Sequence, residues 1–231
     1  MFRPIGLDRP GFRNIINPVG FFILPTSSDL LMRHVAIYLY DEVEVLDFAG
    51  PFEVFSTASR VYERLYPGRE PPFRVFTVAR TPALVQARGG LLVTPAYTFA
   101  DHPPIDLLLV PGGVVTTEIE RTEVVAWVKN CVARTELAAS VCTGSFILGK
   151  AGLLANKRAT THWEDITDLR ALLPDTHVLE NIRYVDEGKV VTSAGISAGL
   201  DMSLYLIARL AGRELAVRTA RQMDYDWKET S

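Results

Sequence analysis

Two short runs, Leu107-Leu108-Leu109-Val110 and Leu137-Ala138-Ala139-Ser140-Val141, are apolar almost without interruption, and each stops at a turn that carries glycine. A strand with one wet face alternates apolar and polar residues. A strand covered on both faces has no reason to. Such runs describe buried strands, the situation of a parallel sheet flanked by helices. The rest of the chain fits that alternation. Val35–Leu39 and Phe73–Val78 read as further strands, with a helix between them through Phe52, Val54, Phe55 and Val61. That helix is expected to start near Asp47 or at Gly50-Pro51, because proline suits a first helical turn. Gly89–Val93 suggests a hairpin or small accessory strand. A helix from about Glu120 to Ala133 places Val124, Val128, Cys131 and Val132 on one face. Another passes through Phe146, Ile147 and Ala151, and Thr161-His162-Trp163-Glu164 resembles a capping box. Strands are expected near His177–Leu179 and Val190–Thr192, then a last long helix over Ser197–Ala211 that Gly212 stops. The predicted fold is α/β, a mostly parallel sheet sandwiched by helices, with residues 33–231 as one domain.

Composition narrows the function classes. The net charge is −3, so there is no general electrostatic reason to bind nucleic acid or an anionic membrane. No apolar run approaches the roughly 20 residues of a membrane span. Four histidines and two cysteines are too few for a cysteine-rich zinc module or a disulfide scaffold, and His34, His102 and His177 have no metal-ligand spacing. With only Cys131 and Cys142 to pair, a reducing cytoplasm is the default setting. Residues 1–32 hold prolines, glycines and both signs of charge around a short apolar stretch. They read as an amino-terminal extension rather than a secretory signal, with Met32 as an alternative start.

The chemistry concentrates at strand ends. In open α/β sheets, ligands bind beyond the carboxyl ends of the strands. Ser140-Val141-Cys142-Thr143-Gly144-Ser145 runs from an apolar strand through a cysteine into a helix start, the context of a nucleophile elbow with sulfur in place of oxygen. The helix amino end is expected to lower the thiol pKa, with the Thr143 N–H directed at charge developing on a substrate. The competing reading of Cys142 is a small buried residue. Cys131, on an apolar helix stripe, reads as core. Gly112 and Gly113 end the neighbouring strand. They are either a plain turn or backbone donors that complete an oxyanion-type hole. Asp47, between Leu46 and Phe48, is either a helix cap or a site acid, and beside a thiolate its pKa would rise. His162 reads as a cap or interface residue ahead of a catalytic one.

Taken together, these segments resemble the PfpI/ThiJ superfamily, which shares the class I glutamine amidotransferase-like (flavodoxin-like) fold. The resemblance covers residues 33–225 through Leu46–Pro51, Pro111–Gly113, Ser140–Ser145, Ala159–Trp163 and Ala194–Asp201, in the family's order. Asp on the first loop and Cys-Thr at the elbow are similar to the isocyanide hydratase branch. The resemblance implies that Cys142 is the nucleophile and Asp47 its acid, with Gly112, Gly113 and Thr143 lining the oxyanion site. It implies hydration of a small-molecule isocyanide to an N-substituted formamide through a thioimidate, without cofactor, in a homodimer. Ser193-Ala194-Gly195 departs from the glycine triplet more common in the hydratases. Other thiol enzymes of the superfamily (glyoxalase-, deglycase- or peptidase-like) usually have His after the cysteine, where this chain has Thr143. A third reading is a small-molecule or redox-responsive sensor domain like those that begin AraC-type regulators. Those continue into a helix-turn-helix module, for which the residues after 225 leave no room.

Overall fold

In the computed structural model, residues 31–229 are described. The expected extension, residues 1–32, lies almost wholly outside them. The chain begins with β1 (Arg33–Leu39), α1 (Val45–Leu65), β2 (Phe73–Ala79), β3 (Val85–Gln86), β4 (Leu92–Val93) and β5 (Tyr97–Thr98). It continues with β6 (Leu107–Val110), α2 (Thr116–Glu120), α3 (Thr122–Arg134), β7 (Leu137–Val141), α4 (Gly144–Lys150) and β8 (Arg158–Ala159). The last part holds α5 (Ile166–Leu172), β9 (His177–Val178), β10 (Tyr184–Asp186), β11 (Val190–Ser193), α6 (Ala198–Ala211) and α7 (Arg213–Gln222).

Seven strands form the main sheet in the order β10-β11-β7-β6-β1-β2-β5. All pairings are parallel except β10 with β11. α1, α6 and α7 contact one another on one side, and α2 to α5 form the other group. Every residue of β6 and β7 is buried, as their almost uninterrupted apolar runs predicted. This is the expected α/β sandwich.

Several local expectations change. α1 starts at Val45, so Asp47 lies in its first turn and Pro51 inside the helix, where it cannot donate to the Asp47 carbonyl. The helix expected from about Glu120 to Ala133 forms as α3, and the short α2 ahead of it, separated at Arg121, whose backbone is extended, was not foreseen. β10 and α7 carried no clear signal. β10 is a three-residue antiparallel strand, and α7 buries only Leu215, Ala216, Thr219 and Ala220. Gly212 does stop α6, at φ 98°. The Gly89–Val93 hairpin forms as β3 and β4. Asp201, the last residue of the segment Ala194–Asp201, is fully buried in α6. It accepts from Arg183, from the Tyr225 hydroxyl at 3.1 Å and from the Lys228 N–H at 2.8 Å, and so anchors the carboxyl-terminal segment.

Strand order positions the site. From β1 the chain moves outward to β2, then returns to place β6 on the other side of β1. The connections leaving β1 and β6 therefore diverge and open a crevice at their carboxyl ends, with β7 next in line. Asp47 follows β1, Gly112 follows β6 and Cys142 follows β7.

Candidate active site

The loops after β1 and β6 are tied together by backbone. Val43 and Gly113 form an antiparallel bridge, the Glu44 N–H donates to the Gly112 carbonyl at 2.9 Å, and the Val114 N–H donates to the Glu42 carbonyl at 3.1 Å. This approach requires glycine. Gly113 has φ 145°, and a Cβ there would lie 2.3 Å from the Glu42 carbonyl oxygen.

The elbow forms as its sequence context predicted. Cys142 sits between β7 and α4 at φ 54°, a left-handed conformation that costs a non-glycine residue roughly 1–3 kcal/mol. It is held there by several bonds. Its N–H donates to the Ser193 and Ala194 carbonyls, at 3.2 and 3.3 Å. Its carbonyl accepts from Thr161 Oγ1 at 3.0 Å and from Ser145 Oγ at 3.2 Å.

Gly112 is where the pieces meet. A Cβ on it would lie 2.7 Å from both Cys142 Cβ and the Thr143 nitrogen, and 2.8 Å from Asp47 Oδ2. The elbow and the carboxyl thus border the same point from two different strand ends. Gly112→Ala is expected to cost about 1–3 kcal/mol by overpacking. Urea unfolding measures this, and an unchanged midpoint would show that the three walls can part.

Asp47 is not a cap. The N-cap of α1 is Glu44, which makes no side-chain capping bond, and Asp47 is 0% exposed. Its Oδ2 accepts from the Gly112 N–H at 3.1 Å, while Oδ1 has no hydrogen-bond partner. Burial pushes the carboxyl up to about 7. The Gly112 N–H opposes that rise, the charge of Glu44 adds to it, and the Cys142 thiol opposes it.

The thiol differs from the expectation of a lowered pKa. Cys142 is 8% exposed, and burial pushes it up to about 12, aided by the charge of Asp47. The Thr143 N–H and hydroxyl act the other way but do not prevail, and Asp165 adds to the rise. The physical reason is that α4 has only seven residues, while the sulfur has lost nearly all its water. Cys131 is buried as expected on the α3 stripe, and both cysteines are free.

The glycine donors also differ from expectation. The Gly112 N–H is engaged by Asp47. The Gly113 N–H donates to Thr143 Oγ1 at 2.9 Å, and that hydroxyl donates back to the Gly113 carbonyl at 2.9 Å. The oxyanion role foreseen for these two N–H groups is therefore taken by internal bonds, leaving the Thr143 N–H beside the sulfur.

His162 caps the 3-10 turn Trp163–Asp165, where its Nδ1 accepts from the Glu164 N–H at 3.4 Å. The capping box expected at Thr161 does not form, because the Thr161 hydroxyl is spent on the Cys142 carbonyl. Gly195 lies against the Cδ2 edge of the imidazole: a Cβ there would be 2.1 Å from His162 Cδ2. Beside the elbow is a groove of about 600 Å³ lined by Thr161, His162, Trp163, Ala194 and Ile196, with Trp163 74% exposed. Sequence reasoning missed Thr161, Asp165 and Tyr40. The Tyr40 hydroxyl donates to the Pro111 carbonyl at 3.0 Å. Its signal was present: Tyr38 and Tyr40 place two phenols on one face of an otherwise apolar run, and a buried phenol needs a partner. Among the described residues no group of three or more His, Cys, Asp or Glu could hold a metal ion, and no helix is long and apolar enough to cross a membrane.

Comparison with known proteins gives one family match and several relatives. The DJ-1/PfpI family model matches residues 33–209. The chain is 34% identical over 192 residues to the isonitrile hydratase of Pseudomonas putida, covering 83% of this chain and 78% of that protein. It is 28% identical over 194 residues to the HTH-type transcriptional regulator GbdR of Pseudomonas aeruginosa, but spans only 51% of that regulator's length. Among solved structures, a THiJ/PfpI family protein from Pseudomonas syringae superposes with a TM-score of 0.76 at 27% identity, covering 94% of this chain and 83% of that one. Drosophila melanogaster DJ-1beta shares the fold, with a TM-score of 0.71 at 18% identity over 85% of this chain and 100% of its own.

Proposed function

The chain belongs to the DJ-1/PfpI family, and on that premise we propose that it is a cysteine-dependent hydratase converting an isocyanide to an N-substituted formamide. The observation that carries this reading is the convergence of Cys142 and Asp47 on Gly112, with one carboxyl oxygen unpartnered. A left-handed cysteine is strain, and strain of this kind collects at sites of chemistry. The 34% identity to an isonitrile hydratase points to the reaction.

The proton inventory suits it. At neutral pH the thiol keeps its proton, and the carboxyl, at about 7, is divided between its two forms. A group with a pKa near the working pH can both take and return a proton. The Asp47 carboxylate takes the thiol proton as sulfur attacks the terminal carbon of R–N≡C, forming the C–S bond. Asp47 then delivers that proton to the same carbon, giving the thioimidate R–N=CH–S–Cys142. Water adds to this carbon with a proton to nitrogen. Collapse of the adduct breaks the C–S bond, returns the hydroxyl proton to sulfur through Asp47 and releases R–NH–CHO. Covalent catalysis thus divides one difficult hydration in two. The Thr143 N–H is the donor assigned to developing charge, while Gly112 and Gly113 hold the carboxyl and shape the wall. A small-molecule substrate, a second copy of the chain as partner and a cytoplasmic setting belong to the same reading.

The test is incubation with an aryl isocyanide. Loss of the isocyanide stretch in the infrared and appearance of formamide by NMR are expected. The likeness to the regulator GbdR favours a second reading, in which the same domain senses a small molecule or oxidant. No turnover, with Cys142 readily oxidised by peroxide, would select that one.

A further inference from the structure

Tyr40 lies just past the end of β1, fully inside the protein. Its hydroxyl donates to the Pro111 carbonyl, and that carbonyl belongs to the same peptide group as the Gly112 N–H, which donates to Asp47 Oδ2. The bonds run in one direction, from phenol to carbonyl and from amide to carboxyl. A donor at a carbonyl oxygen draws electron density from the amide nitrogen and strengthens its N–H. Each link in such a chain gains roughly 10–30%. We propose that Tyr40 is a positioning residue that acts on Asp47 through the Pro111–Gly112 peptide, aiming and polarising the one N–H that holds the carboxyl. This rests on Asp47 being the acid of the proposed hydration.

The surroundings keep the relay in one state. Asp47 is faced by Glu44 from the loop before α1, by Cys142 after β7 and by Tyr40 itself. Tyr40 is faced by Asp47, Cys142, Glu44 and, from α2, Glu118, which accepts from the Tyr38 hydroxyl. Burial and these neighbouring charges hold the Tyr40 phenol well above its ordinary range, so it remains a neutral donor while Asp47 titrates.

The test follows the infrared carbonyl band of protonated Asp47, assigned with Asp47→Asn, across a pH titration of the full chain without substrate. Tyr40→Phe removes the donor, and the midpoint is expected to rise by about half a pH unit. Replacing Tyr40 with 3-fluorotyrosine, nearly the same shape but a stronger donor, is expected to lower it. Purely structural packing would not give opposite signs. Displacement of both variants in the same direction, or of neither, overturns the relay. The fluorinated protein keeps the test open should Tyr40→Phe fail to fold. Because no isocyanide is present, an inactive enzyme with opposed midpoints would sink the hydratase reading alone. An active one with unmoved midpoints would sink only the relay.

Discussion

Cys142→Ala is expected to abolish isocyanide hydration, lowering kcat/KM by about 10³-fold or more. Without sulfur there is no thioimidate, and the remaining groups can only orient water. The variant should fold, because alanine deletes one atom beside a rim of Gly112 and Thr143 and meets the same left-handed backbone. Unfolding midpoint and turnover therefore separate cleanly. Formamide production within tenfold of the parent would remove covalent catalysis from the mechanism. Cys131→Ala serves as the control: it lies on the α3 stripe and should leave turnover unchanged.

Asp47→Asn is expected to slow turnover and to stabilise the fold at alkaline pH, two effects of opposite value to the protein. In the unfolded chain an aspartate releases its proton near pH 4, whereas folded Asp47 holds its proton to about 7. Between those values the folded state binds more protons than the unfolded one, so stability falls as pH rises through that window and levels off above it. The loss is on the order of 4 kcal/mol, the cost of burying a charge with one unpartnered oxygen. Asparagine has no such titration and can still accept from the Gly112 N–H. Urea unfolding at pH 4, 6 and 8 should show the variant close to the parent at pH 4 and more stable at pH 8. These pH values stay below the range in which Cys142 ionises. A variant less stable than the parent at pH 8 would mean that the carboxylate is welcome where it sits. Turnover should fall by roughly 10²–10⁴-fold, as for loss of a general acid–base. Alkylation of Cys142 by iodoacetamide should fall far less. Turnover within threefold of the parent would take the proton relay away from Asp47.

What could be read in advance divides along physical lines. β6 and β7 were legible because strands buried on both faces are apolar almost throughout, and turn residues bound both runs at strand length. α3 was legible from the spacing of Val124, Val128, Cys131 and Val132. α7 was not. Its buried face is made of Leu215 with the smaller Ala216, Thr219 and Ala220, and an exposed Val217 among the charged residues blurs the period. β10 was not either, since three residues at a sheet edge show no period.

The site divides the same way. Local sequence determined that Cys142 stands at a strand-to-helix turn beside glycines, because the apolar run, the turn residues and the helix start are contiguous. It left Asp47 open between cap and acid, because Leu46 and Phe48 suit either. The cap reading falls because Glu44 holds the N-cap position, and the carboxyl is held instead by the Gly112 N–H, 65 residues away. Tertiary structure alone also set the protonation states. A helix start argues for a lowered thiol pKa, but how much water the sulfur and the carboxyl lose depends on β1, β6 and β7 closing round one crevice. Desolvation is a property of that assembled neighbourhood, and it outweighs the short-range pull of a seven-residue helix.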